Sequence, residues 1–189
     1  MTVADRQRWD AKYSGRTAPT ELAPPAWLVK HASERKPGRA LDLACGCGHA
    51  AIWLAERGWT VTALDISPVG LSIAQEFARF RQARVEFLAA DLDTASLGDA
   101  EFDLITVFRF LDRKTLPRRI AAALRPGGRL LYETFLAVET PRTDRPIHNP
   151  AYLLNPGELL RLFASLRVVE YEEVIGRQEG VARLAADLP

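Results

Sequence analysis

The sequence predicts an α/β protein with a doubly wound sheet of seven strands, mostly parallel with an antiparallel edge strand. Three observations predict this fold. From residue 39 onward, short apolar runs alternate with helical patterns at helix-sized intervals, which is typical of parallel strands joined by crossover helices. A glycine-rich turn follows the first apolar run. The last two strand-like runs are close enough in sequence to form a hairpin, which would supply the antiparallel edge.

Composition and charge exclude several classes of protein. The 189 residues favour one domain, and a chain that is 48% hydrophobic and 26% charged is not a disordered one. The 25 basic and 24 acidic residues leave a net charge of +1, so no global field draws the protein to nucleic acid or a membrane. No apolar run approaches the ~18 residues of a membrane span, and the N-terminus lacks the apolar segment of a signal peptide. We therefore expect a cytoplasmic protein without nucleic-acid or membrane partners; no feature predicts its oligomeric state.

Two helices are predicted ahead of the first strand. They cover residues 5–13 and 26–35, and prolines interrupt the pattern between them. Both fall in an N-terminal segment of residues 1–38, which precedes a main domain of residues 39–189.

The main domain contains the predicted sheet. Apolar and β-branched runs predict seven strands, at residues 39–44, 59–65, 84–91, 102–110, 129–136, 166–175 and 181–188. Helices are predicted at residues 50–58, after Ser67, after Asp112 and from Asn155 to Leu166. Ser67 is expected to cap its helix, because proline follows it at the first helical position. Asp112 can cap the next helix, and the last one begins with a pattern that resembles a capping box.

Polar residues and glycines stand where the first two strands end, and ligands of such sheets bind at those ends. Gly46 and Gly48 follow the first strand and allow the backbone to turn sharply and approach a ligand closely. Asp42 lies just upstream, where it could accept a hydrogen bond. Asp65 ends the second strand 19 residues after Gly46, near the spacing at which an acid binds ribose hydroxyls in dinucleotide folds.

Two further signals follow the third and fourth strands. Asp91 can accept a hydrogen bond from an exocyclic amine, and Leu92 can pack on a purine. Phe108 and Arg109 end the fourth strand beside the same crevice. The four signals together predict one crevice for a ligand that carries a ribose and a purine.

The glycine pattern alone also fits a nicotinamide cofactor. Gly46, Gly48 and Ala51 have the spacing of the dinucleotide fingerprint, in which alanine can replace the third glycine. Two features argue against a dehydrogenase: the chain has little room for a separate substrate domain, and Asp42 inside the first strand is foreign to that pattern.

The linked motifs carry a resemblance to a known family. Residues 41–67, LDLACGCGHAAIWLAERGWTVTALDIS, resemble the first two motifs of class I S-adenosylmethionine-dependent methyltransferases. AADL, FDLITVFRFL and LRPGGRLLYETF are similar to their later motifs, so the resemblance is strong over residues 39–136. The flanking segments WDAKYSG, APPAWL and RPIHNPAYLLNPGELL are similar to small tellurite-resistance-type methyltransferases. That family has a Rossmann-like sheet of seven strands with a reversed final strand.

The resemblance implies a function and a set of binding residues. It implies methyl transfer from S-adenosylmethionine, by in-line displacement, to a small molecule such as a thiol or a chalcogen oxyanion. It also implies that residues 1–38 form a lid segment and that residues 39–189 form the catalytic domain. The implied cofactor-binding residues are Asp42, Ala44, Gly46 and Gly48 for the methionine part, Asp65 for the ribose, Ile66, Asp91 and Leu92 for the adenine, Phe108 near the sulfonium, and Trp9 and Tyr13 in the lid.

Four residues are candidates for a catalytic role on position alone. Arg109 could hold an anionic acceptor or the cofactor carboxylate. Tyr13, Asp112 or His148 could act as a base toward an oxygen or nitrogen acceptor. An anionic thiolate or oxyanion would need no base. Around His148, the polar loop with its arginines is either solvated or an anion-binding lid.

Several alternatives stay open. A metal site at Cys45, Cys47 and His49 is disfavoured, because zinc requires four ligands and no distant pair completes the set. The basic run of residues 113–119 is expected to be a solvated face rather than a nucleic-acid contact. Two other functional classes are a nicotinamide- or nucleotide-binding enzyme and a non-catalytic regulatory module that binds S-adenosylmethionine.

Overall fold

The computed structural model of the protein describes residues 3–137, 150–176 and 180–189. Within these residues, seven strands form a single sheet. The strands are β1 (Arg39–Leu43), β2 (Thr60–Asp65), β3 (Val85–Ala89), β4 (Phe102–Phe108), β5 (Leu124–Leu136), β6 (Arg167–Ile175) and β7 (Gly180–Asp187). The helices are α1 (Val3–Tyr13), α2 (Ala26–Ala32), α3 (His49–Ala55), α4 (Pro68–Phe80), α5 (Leu116–Ala123) and α6 (Glu158–Leu162), with a 3-10 turn at Pro150–Tyr152.

The sheet has the order β3-β2-β1-β4-β5-β7-β6. Strands β1 to β5 pair in parallel, whereas β7 runs antiparallel to both β5 and β6. The predicted hairpin therefore lies at the edge of the sheet, with β6 outermost and the reversed β7 inside it. The predicted doubly wound, mostly parallel sheet is confirmed. Strand order reverses between β1 and β4, so a crevice opens at the carboxyl ends of these two neighbours.

Helices cover both faces of the sheet. Successive strand residues face opposite sides: Ala40 and Leu104 pack in one cluster with α2 and α3, while Leu41 and Ile105 pack in another with α5. Burial on both faces explains why the sequences of these strands are nearly continuous apolar runs. In the described part of the chain, no helix is long and apolar enough to span a membrane.

Residues 90–101, between β3 and β4, contain no helix or strand, as the sequence predicts for residues 92–101, whereas the other parallel crossovers contain a helix. One helix differs from the sequence prediction. Helix α6 ends at Leu162 rather than continuing to Leu166. The reason is burial: Phe163 and Leu166 are 2% and 5% exposed, and the chain turns there to bring both into the core before β6 begins.

Side chains form hydrogen bonds with the backbone at the starts of α4, α5 and α6, as predicted for the first and with differences in detail for the other two. The Ser67 hydroxyl accepts a hydrogen bond from the Gly70 amide at 3.0 Å, which confirms it as the cap of α4. Asp112 caps the turn ahead of α5, because its Oδ1 accepts from three successive amides at 3.0–3.2 Å. Before α6, the Glu158 carboxylate accepts from the backbone amide of Asn155 at 2.8 Å, which is one half of a capping box.

The prediction of a solvated basic face is wrong for Arg113. Its guanidinium pairs with Glu158 at 2.5 Å and donates at 2.7 Å to the backbone carbonyls of Ala151 and Leu153. Arg113 therefore fixes the chain that leads from the 3-10 turn into α6, whereas Arg118 of the same run is exposed.

Replacing Arg113 by alanine should lower the free energy of unfolding by about 1–3 kcal/mol, because Glu158 and two carbonyls lose a charged donor. The matched change Arg118→Ala removes the same charge from a solvated position and should shift stability by less than ~0.5 kcal/mol. Denaturant titration of both variants measures the difference. Equal stability losses in the two variants would contradict the conclusion that Arg113 fixes the chain between the 3-10 turn and α6.

Candidate functional site

A cavity of about 640 Å³ opens at the carboxyl ends of the central strands. This volume is within the range of small-molecule sites, roughly 300–1,000 Å³. Asp42 of β1, Asp65 of β2, Phe108 of β4 and Glu133 of β5 line its floor, and Trp9, Lys12 and Tyr13 of α1 line the opposite wall. The sequence signals at the ends of β1, β2 and β4 thus meet in one place.

The carboxylate of Asp65 joins two loops at the base of the cavity. Its Oδ2 accepts from the Gly46 amide at 2.8 Å, and its Oδ1 accepts from the Ser67 amide at 2.9 Å. Asp65 is only 6% exposed, and burial raises its pKa, while the backbone amides around it favour the charged form. Each oxygen retains a lone pair for a further donor.

Asp42 lines the cavity and has one buried oxygen that lacks a hydrogen-bond partner among the described residues. Its Oδ1 accepts from the Thr106 hydroxyl of β4 at 2.7 Å, directly at the point where strand order reverses. Its Oδ2 is buried and has no hydrogen-bond partner among the described residues. Burial raises the pKa of Asp42 to about 7, although Thr106 and the Ala51 amide favour the charged form. A buried acceptor of this kind is unfavourable unless a donor meets it.

Gly46 provides a surface on which α1 rests. Its φ is +55°, and a Cβ at this position would lie 2.8 Å from the Tyr13 hydroxyl oxygen. The Tyr13 ring also lies close to Gly70, where a Cβ would come within 2.9 Å of the ring. Burial, and then the carboxylate of Asp65, raise the pKa of Tyr13, so its phenol remains protonated and can donate a hydrogen bond.

Polar contacts hold α1 across the crevice. Asp10 accepts a hydrogen bond from the Ser67 hydroxyl, and Arg8 donates to the Tyr152 hydroxyl at 2.8 Å. Trp9 stacks on Tyr13 with ring centroids 6.0 Å apart. The helix is therefore attached on both sides of the cavity, at the start of α4 and at the 3-10 turn.

Two residues of the cavity wall adopt left-handed backbone conformations that are rare for their types. Ala44 follows β1 with φ +57°, and Arg109 follows β4 with φ +59°. The Arg109 amide donates to the Glu133 carbonyl at 2.8 Å, which fixes the turn. Strain of this kind persists where surrounding structure over-determines it, most often beside functional sites.

Three cations surround the mouth of the cavity without acidic partners. Lys12, Arg16 and Arg109 all line it, and none pairs with a carboxylate in the described part of the chain. Burial lowers the pKa of Lys12, and the nearby guanidiniums of Arg16 and Arg109 lower it further. Their positive charges therefore repel one another at the mouth of the cavity.

The structure places three predicted binding residues away from the cavity lining. Gly48 starts α3 with φ +80°, and a Cβ there would lie 3.1 Å from Ala74 and 3.3 Å from Phe87, so this glycine serves close packing. Leu92 is 1% exposed in the core with α5, so its side chain cannot pack on a purine. Asp91 is half-exposed at the end of β3, where its Oδ1 accepts from the Asp93 amide at 2.8 Å.

The candidate bases that the structure describes differ in where they lie relative to the cavity. Asp112 does not line the cavity, and its Oδ1 caps the turn before α5, so its predicted role as a base is wrong. Tyr13 lines the cavity, but its raised pKa makes it a donor rather than a base. His148 lies outside the described residues, as do Arg142 and Arg145.

The thiols of the glycine turn line the cavity without forming a metal centre. Cys45 and Cys47 are free, and burial raises the pKa of both. His49 is already engaged, since its Nδ1 accepts from the Ala23 amide at 3.1 Å. Across the described ranges, no three side chains of the ligating types come together as a metal site.

Sequence reasoning missed four charged residues of the cavity, namely Lys12, Arg16, Glu133 and Arg183. Arg183 Nε donates to Glu133 Oε2 at 2.5 Å, across the β5–β7 pair. Glu133 could have been found by the rule that identified Asp65, because it is a polar residue at the carboxyl end of an apolar strand. Arg183 has no such signal, since its strand is reversed and only the register brings it to this edge.

Comparison with known sequences shows what the chain is similar to. The sequence model of a methyltransferase domain family matches residues 40–128, which contain Asp42, Asp65 and Phe108 of the cavity floor. The chain is also 39% identical to a demethylmenaquinone methyltransferase of Thermus thermophilus over 113 residues, which are 57% of this chain and 51% of that protein. This match and this relative support a class I S-adenosylmethionine-dependent methyltransferase, as the sequence motifs predict.

Other similarities extend over different parts of the chain. It is 34% identical to hemagglutinin 1 of Eikenella corrodens over 147 residues, which are 74% of this chain and 47% of that one. The crystal structure of TehB from Haemophilus influenzae superposes with a TM-score of 0.77 at 19% identity, covering 97% of this chain and 67% of that one, and so shares the fold. The chain spans about half the length of the two sequence relatives it matches.

The cavity fits S-adenosylmethionine, the cofactor that the similarity to methyltransferases implies. S-adenosylmethionine carries an ammonium group, and the unpaired buried Oδ2 of Asp42 is an acceptor suited to it. Its ribose hydroxyls need acceptors, and the Asp65 oxygens have lone pairs left over from Gly46 and Ser67. The volume of about 640 Å³ accommodates such a molecule.

Gly46→Ala should displace α1. The new methyl group would lie 2.8 Å from the Tyr13 hydroxyl oxygen, in addition to the strain of a left-handed alanine. Gly127→Ala is a matched control, because Gly127 has φ +76° but open space around its Cβ position. We expect hydrogen exchange of the α1 amides to accelerate only in Gly46→Ala; equal protection in both variants would contradict the docking of α1 on this glycine.

Asp42→Asn should change how stability depends on pH. The pKa of Asp42 is raised to about 7 in the folded protein, so its favourable contribution is complete below the unfolded pKa and is lost as pH rises through 7. The variant should therefore gain stability relative to the parent between about pH 4 and 7, by up to roughly 4 kcal/mol. Denaturant titrations across this range measure the gain, with Asp99→Asn on the exposed surface as control. A stability difference between Asp42→Asn and the parent that does not change with pH would contradict the raised pKa of Asp42.

Proposed function

We propose that this methyltransferase transfers the methyl group of S-adenosylmethionine to a small-molecule acceptor by in-line displacement. The observation that carries the proposal is the pair of buried carboxylates at the point where strand order reverses. Asp42 has an acceptor without a partner, and Asp65 is fixed on two backbone amides. A ligand with both an ammonium group and a ribose would satisfy both.

Each part of the cofactor has a proposed set of residues. Asp65 would accept from the ribose hydroxyls, and Ile66, which lines the cavity beside it, would lie against the adenine. Asp42 would accept from the ammonium group. Ala44 and Gly46 would border the methionine part, since their left-handed backbones keep the loop close to the cavity.

The remaining proposed contacts are those with the sulfonium and with the amine of the adenine. Phe108 lines the cavity after β4 and would lie near the sulfonium. An adenine contact by Asp91 would require the half-exposed end of β3 to form part of the bound site, where its carboxylate could accept from the exocyclic amine.

We propose α1 as the lid over the cofactor. Trp9 and Tyr13 line the cavity from this helix, and its contacts with Ser67 and Tyr152 support a closed position. Helix α2 is different, because Trp27 and Leu28 are buried against the sheet and belong to the main core. The lid would therefore comprise α1 and the residues that connect it to α2.

The chain's residues would act mainly by alignment. The cofactor supplies a methyl group activated by its positive sulfonium, so the protein has to orient the donor and acceptor and exclude water. Tyr13 would close the cavity and donate a hydrogen bond rather than remove a proton. Arg109 would hold an anionic group at the mouth. A base is needed only if the acceptor carries a proton near the reaction pH.

The proposed acceptor is small. Thiols, chalcogen oxyanions and other small metabolites remain the classes that the sequence resemblance implies. The cavity supports this proposal, because residues of β5, β7 and the start of α2 border it beside the proposed cofactor contacts.

Calorimetric titration tests the proposal. We expect S-adenosylhomocysteine and S-adenosylmethionine to bind and NAD(H) not to bind. Asp65→Asn keeps one acceptor oxygen for the loop amides but should weaken binding at least about tenfold, or ~1.4 kcal/mol. Asp99→Asn is the surface control. Binding of NAD(H) alone would contradict the proposal in favour of a nicotinamide enzyme, and cofactor binding without turnover on any small acceptor would favour a regulatory module.

A further inference from the structure

A second, smaller recess adjoins the cofactor cavity. Its volume is about 210 Å³, comparable to about seven water molecules at ~30 Å³ each. Arg109, Glu133 and Arg183 line both the recess and the cavity, so the two spaces meet at these side chains. Because the recess is the smaller space and opens beside the cavity, it suits a second ligand next to the cofactor.

The strand register arranges the floor of the recess in two rows on one face of the sheet. The first row is ionic, with Arg183 donating to Glu133 at 2.5 Å and to Glu172 at 2.7 Å. The second row lies two residues farther along each strand and is apolar. It consists of Phe135, Val181 and Val174, which are register partners on β5, β7 and β6.

Arg109 is the unpaired charge at the junction of the two spaces. Arg183 is paired with two carboxylates, whereas no acidic side chain pairs with Arg109 in the described ranges. The left-handed turn after β4, fixed by its hydrogen bond to the Glu133 carbonyl, keeps Arg109 beside the recess despite its strain. An unpaired guanidinium of this kind is suited to a carboxylate or another anion.

The cofactor alone does not account for the cations at this mouth. S-adenosylmethionine brings an ammonium group, a sulfonium and only one carboxylate, so it adds a net positive charge to the site. Lys12, Arg16 and Arg109 are three unpaired cations, and a single cofactor carboxylate cannot balance them. A second anion beside Arg109 would pair with one of the cations that the cofactor carboxylate leaves unpaired.

Given the proposed function, we infer that this recess is the acceptor subsite and that it binds a small organic anion. The charged group of the acceptor pairs with Arg109, and its apolar part lies on Phe135, Val174 and Val181. The reacting atom then faces the cofactor cavity across Glu133 and Arg183.

Benzoate and its neutral analogue benzamide are suitable probes, because they differ in charge and hardly in shape. NMR titration of the protein saturated with S-adenosylhomocysteine should show benzoate binding at least about fivefold more tightly than benzamide, or ~1 kcal/mol. Arg109→Gln should remove this preference, and Arg109→Lys should retain part of it. Arg118→Gln, which removes the same charge from an exposed position on α5, should leave the preference unchanged.

A filled recess provides an independent variant. Val181→Phe should abolish the binding of both probes, while the affinity for S-adenosylhomocysteine stays within about twofold in this variant and in Arg118→Gln. Equal binding of the two probes, a preference that survives Arg109→Gln, or benzoate binding that survives Val181→Phe would each overturn the inference. Failure of S-adenosylhomocysteine itself to bind would instead overturn the proposed function, and the two failures are therefore distinguishable.

Discussion

Both oxygens of the buried Asp65 carboxylate accept hydrogen bonds from backbone amides, one in the loop after β1 and one in the loop after β2. Burial of a carboxylate is unfavourable unless such donors compensate it, so the two loops and the acid hold one another in place. Gly46, fixed in this way, is the surface on which Tyr13 rests. Ser67, fixed from the other side, caps α4 and donates to Asp10 of α1. The floor and the cover of the cavity therefore depend on one side chain.

The other features of the crevice are unfavourable to the fold by themselves. Ala44 and Arg109 hold left-handed backbones, Asp42 keeps a buried acceptor without a partner, and cations face one another at the mouth. A sequence selected for stability alone would remove such features. Their concentration at the carboxyl ends of β1 and β4 agrees with a site whose ligand supplies the missing donors and anions.

Most of the sheet could be predicted from local pattern, because parallel strands buried on both faces and separated by helices have a distinct sequence signature. The same rule found Asp42, Asp65 and Phe108, since each stands at a strand end. The rule did not show that Gly48 serves close packing whereas Gly46 borders the cavity, because the packing of Gly48 against Ala74 depends on tertiary contacts. A basic run looks alike whether solvated or paired, so Arg113 was misassigned. Arg183 reaches the site only through the register of a reversed strand.

The most direct test of this account is where S-adenosylhomocysteine binds, measured by amide chemical shifts in a two-dimensional NMR titration. The account predicts large shifts at Gly46 and Ser67, whose amides Asp65 holds, and at Ala44 and Arg109. It predicts no change at Gly58, which lies at the opposite edge of the sheet after α3. Shifts confined to the surface around Gly58, with the Gly46 and Ser67 amides unmoved, would contradict the central claim that the Asp65 crevice is the cofactor site.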